Sequence, residues 1–391
     1  MKERTIPGAA LAISRNGQLI LARGYSWITD IETPVEPGSL FRLASVSKTL
    51  TGTAIIRLVE NGSLSLLLDD KLVDLIDMPG AIGDNRIQDI QVDHLLYHVA
   101  GWNDAKLDKG GSGIDPTAND INIASDLGID LPITQQAIVR WTNEYYVNKY
   151  GEKGKLDFTP GTVNGYAYSN YGYLLLGQII ETVSGISYEQ FIQDRLLAPL
   201  GVRRMRLGRT LLKSKHQDEV LYHCSNFALR NNVMVAGHPV NVLTPYGGYF
   251  SLENMAANGG WIASAIDLVR FASSFDDPDT CKLLSHDFVE KLFASHKYDT
   301  SGSYFACGRY VDPNSNPPTQ YWGRGLDGTK THLMRWQDNN DNFDTAILFN
   351  KYGEVYDSAG VLYEWDLESL IMDAADQVNS WPDEGSWADF L

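Results

Sequence analysis

The sequence predicts an α/β fold in which one sheet, completed by the two ends of the chain, flanks a mostly helical middle. Two observations carry this expectation. β-Prone runs occupy residues 7–26 and return only beyond residue 304, whereas most segments between them repeat their apolar residues at helical spacing. No linker, low-complexity tract or internal repeat divides the 391 residues into independent units. The simplest architecture is a discontinuous sheet domain from residues 1–62 and 262–391. Residues 63–261 are then an inserted, mostly helical domain, with a cleft between the two.

Residues 7–26, P-G-A-A-L-A-I-S-R-N-G-Q-L-I-L-A-R-G-Y-S, read as a hairpin turning at Asn16-Gly17. From Ser45 to Glu60, Val46, Leu50, Ala54, Ile55, Leu58 and Val59 recur at helical spacing until Asn61-Gly62 stops them. Gly52 and several threonines are poor helix formers, so surroundings must hold this helix and burial is expected. Residues 63–100 read as mainly helical, with V-D-H-L-L-Y-H-V-A-G-W marking a helix end. The Gly-, Asp- and Asn-rich stretch Asn103–Asn119 reads as a solvated loop over one face. Helical patterns return at Pro132–Tyr146, Asn170–Ser184, Ser187–Ala198, Ala265–Ser274 and His286–Ser295, with a mixed Gly-rich and aromatic stretch at 235–260. Strand-like segments at Tyr304–Val311, His332–Gln337 and Asp344–Asn350 precede a helix over 361–378.

Composition excludes some classes of partner. A formal charge of −17 repels phosphate backbones and anionic membranes, so nucleic acid is a poor candidate. No run of eighteen apolar residues exists to span a membrane. Three cysteines, Cys224, Cys281 and Cys307, make no disulfide framework and lack zinc-site spacing; scattered thiols are expected, with a single disulfide as the alternative. Eight scattered histidines without H-E-x-x-H leave no case for a metal or cofactor. The short apolar stretch after Met1 is broken by Pro7 and Gly8 and continues as a strand pattern, unlike a secretory signal. An intracellular protein, or one whose leader has been removed, is expected.

Two clusters bear chemistry. In L-A-S-V-S-K-T-L, Ser45 opens a helix and Lys48 follows one turn later on the same face. A serine there is an ordinary cap, but the third position after a cap favours Glu or Gln rather than a cation. Lysine in the first turn opposes the helix dipole at a cost of about 0.3–1 kcal/mol. Partial burial and the positive helix end would lower its pKa and supply a neutral amine beside the hydroxyl. The helix N-terminus also aims N–H groups at charge developing near Ser45. In Y-A-Y-S-N-Y-G-Y-L-L-L-G, Tyr168 and Asn170 stand at a loop-to-helix junction, where a phenol relays protons and an amide orients a lysine. Capping by Asn170 and packing by the tyrosines are the plainer reading of this second cluster. No G-x-S-x-G elbow is present.

S-x-x-K at Ser45, Y-x-N at Tyr168 and the intervening P-G-T (Pro160–Thr162) together resemble the serine β-lactamase and penicillin-binding-protein superfamily. The class C-like branch, with AmpC-type β-lactamases, D-aminopeptidases, DD-peptidases and family VIII carboxylesterases, is the nearest in pattern. I-P-G-A-A-L-A-I-S-R-N-G, H-L-L-Y-H-V-A-G, A-P-L-G-V-R-R-M and N-G-G-W-I-A-S-A-I-D-L-V-R-F extend the likeness over most of the chain.

The resemblance implies a β-lactamase-like fold: an antiparallel sheet flanked by helices and built from both termini, with the helical insertion. It also implies acyl transfer through Ser45, activated by Lys48 and Tyr168, with Asn170 at the substrate. The family's third motif, K-T-G or H-x-G, falls on Trp322-Gly323-Arg324 in Y-W-G-R-G-L-D-G-T-K-T-H. Tryptophan there resembles the W-x-G of family VIII esterases, while Arg324 restores a positive charge. Gly325 follows as the second oxyanion donor beside the Ser45 N–H. The expected substrate is a small-molecule ester first, then a β-lactam or D-aminoacyl peptide, with acyl transfer to another acceptor third. A non-catalytic binding protein on the same scaffold is the alternative of another class. His98 is expected in packing or behind the site, and Trp102, Tyr246 and Tyr249 are open between cleft lining and packing.

Overall fold

The computed structural model describes residues 6–27, 34–62, 66–104, 115–224, 229–236, 241–248, 250–300, 302–314, 318–338 and 340–352, with 374, 377, 378 and 387. The helix expected over 361–378 lies almost wholly outside the described residues, as does Tyr249. Among the described residues seven strands form one antiparallel sheet: β1 (Gly8–Arg15), β2 (Gln18–Ser26), β3 (Tyr304–Ala306), β4 (Arg309–Asp312), β5 (Thr319–Leu326), β6 (Thr329–Asp338) and β7 (Asp341–Phe349). Their spatial order is β2-β1-β7-β6-β5-β4-β3, so the N-terminal hairpin joins the C-terminal strands through β1 and β7. Asn16 and Gly17 both take positive φ, 49° and 75°, as the two central residues of a type I′ turn require.

Three helices bear on the site: α1 (Ser47–Glu60), α2 (Asn170–Ser184) and α3 (Ala265–Ala272). Helix α3 lies on β1 and β7, where Ala12 faces Ala346 across the pair and leaves room for it. Helix α1 packs against α2, and residues Ser47–Ile56 are all buried, as its weak helix formers required. Its threonines are satisfied inside. Thr51 Oγ1 donates to Ala257 O at 2.7 Å and lies 2.7 Å from the Tyr188 hydroxyl, while Thr53 donates back to Thr49 O at 2.7 Å. Gly52 has a packing reason as well: a Cβ there would lie 2.1 Å from Cys307 O.

Several segments differ from the sequence reading. Within 63–100 the described residues, 66–100, hold only short helical pieces, at Leu72–Leu75, Asn85–Asp89 and Val92–Leu96, because Pro79 and the left-handed Gly80 interrupt them. The stretch Ser187–Ala198 begins as an α-helix, Tyr188–Ile192, and widens into a π-turn over Gln193–Leu197. Tyr304–Val311 is two strands, not one, since Cys307 and Gly308 at φ 44° and 98° fold the chain back into a tight hairpin.

Candidate active site

The segment leading to Ser45 is gripped from both sides. Phe41–Arg42 pairs with Trp261–Ala263, and Leu43 N donates to Trp261 O at 2.8 Å. From β6, Thr329 Oγ1 donates to Arg42 O at 3.1 Å and Thr331 Oγ1 to Leu43 O at 2.7 Å. The Arg42 side chain is fully buried and ion-paired with Glu219 at 3.5 Å. Ala44 then adopts a left-handed φ of 47°, which costs an L-residue about 1–2 kcal/mol. One 3-10 turn, Ala44–Val46, follows before α1, and it packs along β5. This strained turn leaves Ser45 half-buried at the head of a buried helix.

Ser45, Lys48, Tyr168 and Asn170 converge. The Tyr168 hydroxyl donates to Ser45 Oγ at 2.8 Å, and Lys48 Nζ lies 3.3 Å from the same oxygen. Lys48 is 0% exposed. Its Nζ also reaches Asn170 Oδ1 at 2.5 Å and Asn258 O at 2.7 Å, and stands 4.9 Å from the Tyr168 ring centroid. Ser169, rather than Asn170, caps α2 by accepting from Gly172 N at 3.1 Å, which leaves the Asn170 amide facing Lys48.

Tyr168 is backed by aromatic rings. His98, buried and at φ 58°, lies 4.6 Å from it, and its Nδ1 accepts from Ser169 N at 3.2 Å. That fixes the backbone next to the phenol, consistent with a place behind the site. Trp322 is buried on β5, 6.0 Å from Tyr168 in a stacked arrangement and 5.1 Å from Phe305. Gly323 pairs with His332 on β6, and a Cβ there would fall 2.4 Å from His332 Nδ1. Arg324 is paired with Thr331, and its side chain lies outside the described residues. Gly325 opposes Lys330, with no room for a Cβ, which would meet Tyr352 at 2.7 Å. Trp102 and Tyr246 are core residues: Trp102 sits edge-on to Tyr171, and the buried Tyr246 hydroxyl accepts from Tyr222 N at 2.8 Å.

Two carboxylates complete the site that sequence reasoning assigned to a solvated loop. Asp104 accepts from Asn170 N, and Asp115 Oδ2 accepts from Asn170 Nδ2 at 2.7 Å. Burial, and then the charge of Asp115, push the Asp104 carboxyl well above the ordinary carboxylate range. The sequence signal was the density of Asp and Asn over Asn103–Asn119, far before Y-S-N in the chain, which no spacing rule connects to it. All three cysteines are free thiols, and among the described residues no His, Cys, Asp or Glu cluster is arranged to hold a metal ion.

The arrangement is a hydroxyl flanked by a phenol and a buried amine, suited to proton transfer during nucleophilic attack. The Beta-lactamase family model matches residues 1–363. The chain belongs to the Beta-lactamase family. Protein flp of Staphylococcus aureus (strain MW2) is 27% identical over 349 residues, which are 88% of this chain and 57% of that relative. The chain thus spans little more than half the length of that curated relative. The penicillin-binding protein from Bacillus halodurans superposes with a TM-score of 0.66 at 16% identity, covering 96% of this chain and 97% of that one. EstCE1, described as a hydrolase with promiscuous acyltransferase activity, superposes at 0.62 with 19% identity, covering 90% and 91%. The fold is β-lactamase-like, and the chain is a member of the serine β-lactamase and penicillin-binding-protein superfamily, most of whose members are serine hydrolases.

Proposed function

We propose that this β-lactamase-family chain is a serine hydrolase that works through an acyl-enzyme on Ser45, with carboxylic esters as its main substrates. The observation that carries the reading is Ser45 Oγ, 2.8 Å from the Tyr168 hydroxyl and 3.3 Å from the buried Lys48 amine. Ser45 Oγ attacks the ester carbonyl carbon while its proton passes to the Lys48–Tyr168 pair. The backbone N–H groups of Ser45 and Gly325 hold the oxyanion, where one donor is worth on the order of 100-fold. As the tetrahedral intermediate collapses, Tyr168 protonates the departing alkoxide. Water then repeats the sequence on the acyl-enzyme and releases the acid.

Ester preference is supported by Trp322, a buried indole where a substrate carboxylate would need a cation. β-Lactams or D-aminoacyl peptides form the second reading, favoured by the penicillin-binding-protein likeness of the fold. Hydrolysis of p-nitrophenyl butyrate, nitrocefin and a D-alanyl anilide by one preparation separates the two. Multiple turnovers of the ester with little nitrocefin cleavage, abolished in Ser45→Ala, are expected. Faster nitrocefin turnover overturns the ester assignment; labelling of Ser45→Ala by a fluorophosphonate overturns the nucleophile.

A further inference from the structure

Asn170 is held as well as holding. Its Nδ2 donates to Asp115 Oδ2 at 2.7 Å, and Asp115 Oδ1 accepts from Thr117 N at 2.8 Å and Thr117 Oγ1 at 2.7 Å. Thr117 Oγ1 in turn accepts from Asn258 Nδ2 at 3.1 Å, and Asn258 O accepts from Lys48 Nζ at 2.7 Å. With the bond from Lys48 to Asn170 Oδ1, these close a ring: Lys48, Asn170, Asp115, Thr117, Asn258 and back to Lys48. Its members come from α1, the head of α2, the short turn Pro116–Ala118 with the residue before it, and the segment before Trp261.

Donor and acceptor logic makes Asp115 decisive. A carboxylate only accepts, so the Asn170 amide must point its NH2 at Asp115 and its oxygen at Lys48. An amide free to flip would present a donor to the amine instead. We propose that Asp115 is the positioning residue of this site: it orients the Asn170 carboxamide and, through Thr117 and Asn258, holds the Lys48 amine within reach of Ser45 Oγ. The inference rests on the reading of Ser45 as the nucleophile and Lys48 as its activating base.

The experiment measures the second-order rate constant for modification of Ser45 by a fluorophosphonate, followed by intact mass. Asp115→Asn places an amide against the Asn170 amide and is expected to slow modification about 10- to 100-fold, the range for a slightly misplaced catalytic group. The exchanged pair Asp115→Asn with Asn170→Asp restores complementarity: the amide now at position 115 donates, and the carboxylate now at position 170 accepts from it and from Lys48. That double variant is expected to react at least about threefold faster than Asp115→Asn. A purely structural role for Asp115 predicts a double variant no better than the single one. Thr117→Val cuts the ring elsewhere at nearly constant shape and is expected to slow the reaction about 3- to 10-fold; it serves if Asp115→Asn does not fold. Wild-type modification at Ser45 with Asp115→Asn, or failing that Thr117→Val, reacting equally fast overturns this inference alone. No modification of wild type at Ser45 overturns the nucleophile reading and the inference with it.

Discussion

Gly52 lies in the middle of the helix that carries Lys48, and replacing it by alanine tests whether contact with the sheet, rather than helix propensity, sets that helix in place. Propensity alone favours alanine by about 0.5–1 kcal/mol. At this position a Cβ would lie 2.1 Å from Cys307 O, 2.5 Å from Cys307 C and 2.9 Å from its Cα. These are backbone atoms, and the first falls about 1.3 Å short of ordinary contact at 3.4 Å. Gly308 next door gives no slack, since a Cβ there would come within 2.3 Å of Lys48 O. Helix α1 must therefore retreat from the Cys307–Gly308 turn. Overpacking costs about 1–3 kcal/mol, and with backbone on both sides the upper end applies, leaving a net loss of about 2 kcal/mol. Because Lys48 rides on the same helix, turnover falls too, by up to about 100-fold for a shift near 1 Å. Gly172 in α2 is the control: its Cβ would meet nothing nearer than Leu95 Cδ2 at 3.7 Å, so alanine there raises stability by about 0.5–1 kcal/mol. Urea unfolding of the two variants and wild type, with ester turnover measured on each, decides the matter. Gly52→Ala unfolding at the same urea concentration as Gly172→Ala refutes the reasoning.

Three further outcomes are expected. Glu219→Gln strips the buried Arg42 guanidinium of its carboxylate and should cost about 3–5 kcal/mol in urea unfolding; a loss below about 1 kcal/mol would show that the surrounding carbonyls suffice. Gly325→Ala drives a methyl against Tyr352 and Thr329 O, displacing β5, and should lower kcat for p-nitrophenyl butyrate on the order of 100-fold with KM little changed; unchanged kcat removes Gly325 from the oxyanion role. His332, pushed down to about 4 by burial and then by the charge of Lys330, binds fewer protons folded than unfolded between that value and 6.5. Its contribution is complete above pH 6.5 and is lost as pH falls toward 4, about 3 kcal/mol in all, so the wild-type urea midpoint should drop in acid more steeply than that of His332→Gln; parallel curves count against it.

Local chemistry was legible in the sequence, and long-range geometry was not. Asn16-Gly17 specified its hairpin because two successive left-handed residues admit few alternatives. S-x-x-K and Y-x-N stood out because each sits at a helix start, where residue type and position constrain one another. The Cys307–Gly308 fold-back is hard to read because a lone glycine within a strand-like run also fits a bulge, and the left-handed cysteine before it carries no turn signature. Asp104 and Asp115 were read as solvated because acidic residues among glycines usually are; only the convergence of three distant segments on Asn170 turns them inward. Ala44 could not have been singled out, since its left-handed strain is imposed by the threonines of β6 and by Trp261, not by its neighbours in sequence.

The tryptophan of the third motif belongs to the same packing. Position 322 is buried between Tyr168, Phe305 and Tyr310, and Tyr168 in turn covers the Lys48 amine. A lysine at 322, as in K-T-G, would place an ammonium in this wall. An indole instead fills the space, stacks on the phenol and adds no charge beside the amine. Tryptophan at this place leaves the Ser45, Lys48 and Tyr168 contacts to themselves, because none of them runs through position 322. The proposed preference for esters over β-lactams therefore concerns the wall around position 322 and asks for no rearrangement of the Ser45, Lys48 and Tyr168 contacts.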